Sequence, residues 1–111
     1  MMTEPLPEPR KICITFRVEP GCLGPEGIHH VDQFCVFAQD RFAHVDAEFV
    51  RWQITPRHDK ALAETEYGVA GKRITNAQAD RYAQALGHSL DELEDHLHTT
   101  LANLIDEFMR G

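Results

Sequence analysis

At 111 residues the chain has room for one domain with its own core and no room for a second. Hydrophobic residues make up 42% of it and charged residues 26%, a balance that excludes extensive disorder away from the ends. The formal charge of −7 is uneven, with three basic against six acidic groups in residues 1–40, seven against six in 41–81 and one against six in 82–111. Both terminal portions repel phosphate backbones, so no nucleic-acid partner is expected, and the only basic excess is a small patch in the middle.

No stretch reaches the run of about 18 apolar residues that a membrane span needs. The start is rich in Pro and Glu (Glu4, Pro5, Pro7, Glu8, Pro9) where a secretory leader would be basic and then apolar. A cytoplasmic protein without a membrane partner is expected. Cys13, Cys22 and Cys35 form an odd set with no C-x-x-C pair, which predicts reduced thiols.

Residues 1–9 have little to bury and are expected to be a flexible lead-in to a single α+β domain over 10–111. From Lys11 to Val18 the side chains alternate, Ile12, Ile14, Phe16 and Val18 against Lys11, Cys13, Thr15 and Arg17, the period of a half-buried strand. Glu19 to Gly27 holds five Gly or Pro residues in nine, so a shaped loop must follow. Ile28, Val31, Cys35, Ala38, Phe42 and Val45 then recur at helical steps. Phe34 to Phe37 alone has strand character, but the longer window decides for a helix over 28–45.

Alternation returns over Glu48 to Thr55, with Val50, Trp52 and Ile54 on one side, and Pro56 ends it. Arg57 to Lys60 is read as a hairpin connection to a third strand within Leu62 to Ala70. Gly71-Lys72-Arg73 is read as a turn. Thr75-Asn76-Ala77-Gln78 is a capping box for a short helix through Leu86, Gly87 sits where a left-handed cap belongs, and Ser89-Leu90-Asp91-Glu92 opens the final helix. Along that helix Leu90, Leu93, Leu97, Leu101, Leu104, Ile105 and Phe108 form one apolar stripe.

The order β-α-β-β-α-α predicts a three-stranded antiparallel sheet in a split βαβ arrangement, half of a ferredoxin-like domain. The strands would run 2-3-1, with helices packed on one face. The edge beside strand one would be free, and together with the wide distal end of the stripe at Leu104, Ile105, Phe108 and Met109 it predicts a homodimer. The functional expectation is a small acidic protein that acts by protein–protein association, with no catalytic activity evident.

Three clusters compete with that expectation. Cys22, His29, His30 and Cys35, with Asp32, carry the ligand types of zinc or iron, in a spacing that matches no finger pattern. The alternative function is therefore a metal-binding or small-ligand domain, or an enzyme, built on that region or on a Trp52/Tyr67 pocket. Trp52 and Tyr67 with Arg51 and Arg57 offer an aromatic and cationic surface, although Trp52 fits the core better. His88, Glu92 and His96, with Glu94 and His98 alongside, stand four residues apart on the final helix, the spacing of weak exposed pairs as much as of a metal or proton relay. No cofactor is expected otherwise.

Overall fold

A computed structural model describes residues 6–110 of the chain. Four strands and three helices follow one another as β1 (Ile12–Val18), α1 (Val31–Phe42), β2 (Val50–Pro56), β3 (Thr65–Val69), β4 (Lys72–Ile74), α2 (Asn76–Ala85) and α3 (Leu90–Arg110). The alternation in β1 and β2 does what its period requires, burying Ile12, Ile14, Phe16, Val18, Val50, Trp52 and Ile54 on one face. The helices pack there. Phe42 of α1 lies 5.1 Å from the Trp52 ring, His98 of α3 meets Phe16 edge-on, and Glu94 of α3 accepts a hydrogen bond from the Tyr67 hydroxyl at 2.6 Å.

The sheet departs from the expected one in three ways. It has four strands, its order is β2-β1-β3-β4, and β1 and β2 are direct parallel neighbours, with Ile12 opposite Val50 and Val18 opposite Pro56. β1 is therefore central and its edges are both paired, so the free edge expected beside strand one does not exist. The cause lies in the two connections. α1 is a crossover long enough to return the chain parallel to β1, as such pairing requires. The segment after β2 then passes over the end of β1 instead of forming a hairpin. Arg57 N–H donates to the Val18 carbonyl at 2.9 Å and Arg17 N–H to the Glu64 carbonyl at 2.8 Å, one bond at each end of that passage. The Arg57 guanidinium braces it internally, donating to Leu62 and Lys60 carbonyls and pairing with Glu19.

The fourth strand was hidden in a segment read as a turn. Ala70 and Gly71, with φ of 55° and 79°, form the two-residue link between β3 and β4. Two successive positive φ values match the right-handed twist of a tight hairpin, and Ala70 adopts one at a cost of about 1 kcal/mol.

Of the sheet's two edges, β2 is closed by a side chain. Gln39 of α1 donates from Nε2 to the Trp52 carbonyl at 3.0 Å and accepts the Ile54 N–H at 2.8 Å, occupying two of the groups another strand would need. The helix starts follow the sequence closely. Both bonds of the Thr75 box are made, and Gly87 is left-handed with φ of 86°. At Ser89 only half the box forms. Its hydroxyl accepts Glu92 N–H at 3.2 Å, whereas the Glu92 carboxylate turns to His88. Asp80 of α2 takes the Leu90 N–H instead, fastening α2 to α3. The first helix is shorter than expected, since Gly27–His29 forms a separate 3-10 turn before it. Of the lead-in, residues 1–5 lie outside the described part, while Leu6 donates to the Glu48 carbonyl at 2.8 Å and Glu8–Arg10 forms a 3-10 turn.

Candidate functional site

Burial separates the residues singled out for metal binding. Cys22, His29 and His30 are exposed, whereas Cys35 is 4% exposed on the inner side of α1. Burial, with the nearby Asp32 carboxylate adding to it, pushes the Cys35 thiol up to about 12, which disfavours the thiolate that a metal requires. Among the described residues no three His, Cys, Asp or Glu side chains are arranged to hold an ion. His58 from the passage after β2 takes Asp32, at 3.3 Å.

Trp52 and Tyr67 flank Ile14 in one row across the inner face and are each 4% exposed, so both belong to the core. Trp52 Nε1 donates to the Val45 carbonyl at 2.8 Å. Burial, then the hydrogen bond to Glu94, raises the Tyr67 hydroxyl well above its ordinary value and keeps it neutral.

The histidines in and just before α3 also disperse. His88 stacks on Phe49 with centroids 4.0 Å apart and faces Glu92 at 3.2 Å. His96 turns away from Glu92 to Asp46, in the connection before β2, with Nδ1 to Oδ2 at 2.7 Å. Asp46 is itself left-handed, with φ of 49°, and its carbonyl accepts the N–H groups of Phe49 and Val50, so this pair joins α3 to the start of β2. The hydrogen bond to Asp46 is the main cause of the raised His96 value, and Asp46, Glu92 and Asp95 add charge of the same sense. A raised value in the folded chain means that the contribution is complete below the ordinary histidine value near about 6.5 and is lost as pH rises through the folded one. The side chain is 41% exposed, so solvent limits the pair to about 0.2–1 kcal/mol. His96→Asn is expected to remove that difference in urea midpoint between pH 5.5 and pH 8.5. An undiminished difference would place the titration on another histidine.

The predicted interface residues split along α3. Leu104 is buried against the core at 6% exposure, Ile105 and Phe108 are half-buried, and Met109 is 52% exposed. Phe108 packs against Phe34 and Phe37 of α1 at 5.3 and 5.7 Å. Beside them His30, Gln33, Phe37, Glu107, Phe108 and Met109 line an open groove of about 720 Å³.

A different surface emerges on the face of the sheet opposite the helices. The outward positions of β1 to β4 carry Cys13, Thr15, Arg17, Arg51, Gln53, Glu66, Gly68 and Arg73. Arg51, Gln53 and Arg73 are exposed and Cys13, Thr15 and Gly68 half-exposed, so this face is open. The register sets one row straight across it, Arg51 opposite Cys13, Cys13 opposite Gly68 and Gly68 opposite Arg73. In the next row Thr15 donates to Gln53 at 3.0 Å. Glu66 is the one carboxylate in these outward rows. It accepts from Arg17 and lies 3.2 Å from Arg73, and the Arg17 hydrogen bond, with charge from Arg17 and Arg73, holds it below the ordinary glutamate value. No acidic partner among the described residues lies within ion-pair distance of Arg51 or Lys72. The charge pattern had marked residues 41–81 as the basic part of the chain, but only the register reveals that Arg51 and Arg73 share a row. No protein-family model, curated protein or solved structure matches the chain.

Proposed function

We propose that this chain acts by association, engaging an acidic segment of a partner protein through the uncovered face of its sheet. The observation that carries this is the outward row of Arg51, Cys13, Gly68 and Arg73 on a chain whose net charge is −7. Opposite potentials across an interface steer encounter and fix register. In an acidic protein such a patch discriminates strongly, because an acidic partner is repelled everywhere else. Among the described residues no helix is long and apolar enough to cross a membrane, and a cytoplasmic setting is part of the proposal.

Self-association belongs to it as well. The groove between α1 and α3, with Met109 at its rim, supports a second copy seated at the distal end of α3.

The test of the main proposal is fluorescence anisotropy with a labelled glutamate-rich peptide at low salt. Wild-type protein is expected to bind it with an affinity that falls as salt is added. Arg51→Glu is expected to weaken binding at least tenfold while the circular dichroism spectrum is unchanged. Equal binding by the wild type and Arg51→Glu would sink the proposal.

A further inference from the structure

Between its two arginines the open row is floored by small residues. Strands lie about 4.8 Å apart, so Arg51 on β2 and Arg73 on β4 are separated by roughly 14 Å along the row, with only Cys13 and Gly68 between them. Two long cations beside a cysteine and a glycine leave a depression of about 220 Å³ on the face. That is below the roughly 300–1,000 Å³ typical of pockets that enclose a whole ligand, so it suits a single small group. From the outward rows it is lined by the guanidinium groups of Arg51 and Arg73 and by one carboxylate, Glu66. Arg73 approaches Glu66 through Nε at 3.2 Å, and among the described residues Arg51 has no acidic partner within ion-pair distance, although its charge reaches Glu8. Glu66 is already shared between Arg17 and Arg73, so its negative charge is largely offset before any ligand arrives.

Resting on the proposed association surface, we infer that this depression is a seat for one oxyanion, gripped from two sides by Arg51 and Arg73 over the Cys13–Gly68 floor. The fork of a guanidinium matches the paired oxygens of a carboxylate or a phosphate and bonds them bidentately. The absence of a side chain at Gly68 keeps the floor low. A Cβ there would also press to 3.0 Å from the Lys72 carbonyl, so the hairpin itself favours glycine at this position. The oxyanion comes from one of two sources, a free small acid or an acidic side chain of a bound polypeptide.

Amide correlation spectra of the full chain, titrated with inorganic phosphate and separately with the glutamate-rich peptide, test the seat and its source. Sodium chloride at matched ionic strength is the control. Phosphate is expected to shift the Cys13 and Gly68 amides where chloride does not, and both Arg51→Gln and Arg73→Gln are expected to weaken it at least fivefold with the remaining spectrum preserved. Arg51→Lys, which keeps the charge and loses the fork, is expected to recover only part of the affinity. Phosphate shifts that ignore both glutamine variants, or that match those of chloride, overturn the inference. If phosphate binds as described and the peptide does not, the seat stands for a free small acid and the polypeptide association fails. If the peptide binds the face and neither glutamine variant weakens it, the association stands and the seat is overturned.

Discussion

Replacing Trp52 with alanine is expected to cost about 3–5 kcal/mol, the range for deleting a large buried aromatic side chain. Trp52 is 4% exposed, packs on Phe42 and stands beside Ile14, across which lies Tyr67, in the row that joins the sheet to the helices. Its removal leaves a void that Phe42 and Ile14, both held by their own backbones, fill only in part. It also leaves the Val45 carbonyl without the indole N–H that it accepts at 2.8 Å. For a domain this small that loss is a large share of all its stability. Urea denaturation measures it. A cost below about 1.5 kcal/mol would mean that the core closes over the gap as few cores do.

The second large effect separates two positions five residues apart on α3. Leu104→Glu sets a carboxylate where the leucine is 6% exposed, and the variant is expected to lose several kcal/mol or fail to fold, since a Leu→Ala change alone costs about 2–5 kcal/mol and an unpaired buried charge adds to it. Met109→Glu, at 52% exposure, is expected to change monomer stability by less than about 0.5 kcal/mol. If a second copy sits in the groove, Met109→Glu lowers the mass measured by light scattering from that of a dimer to that of one chain. Unchanged mass together with unchanged stability would remove the groove from the interface. The interface is therefore probed at Met109 and not at Leu104, because α1 covers more of the stripe than the spacing of leucines foretells. Phe34 and Phe37 reach Phe108 from the neighbouring helix, a contact that no local pattern announces.

Most of the local structure was legible because it rests on short-range rules. Strand alternation from Ile12 to Val18, the Thr75 capping box and the left-handed Gly87 are each fixed by a few neighbouring residues, and each is found as read. The sheet order was not legible. The alternation in β1 is the same whether one or both of its edges are paired, and the choice depends on where the segment after Pro56 travels. That path is set by bonds at the far end of β1, from Arg57 N–H to Val18 and from Arg17 N–H to Glu64. β4 was missed for a different reason. Three residues with one apolar side chain give no period, and its hairpin turn uses Ala70 where glycine or asparagine would have advertised it.

The same limits apply to function. Histidines and cysteines near one another in sequence drew attention to Cys22, His29, His30 and Cys35, but a helix that buries Cys35 turns it away from the other three. Cys13, Arg51, Gly68 and Arg73 are scattered over more than half of the chain and meet only through strand register. A modest basic excess in the middle of the chain was their one trace in the sequence.

The central claim is that the uncovered sheet face is the working surface. Amide correlation spectra of the full chain recorded with increasing glutamate-rich peptide at low salt test it most directly. The account predicts shifts concentrated at Cys13, Thr15, Arg51, Gln53, Gly68 and Arg73, with the amides of α3 unmoved. Shifts confined to Phe37, Phe108 and Met109 in the groove between the helices, or no shifts at all, would contradict it.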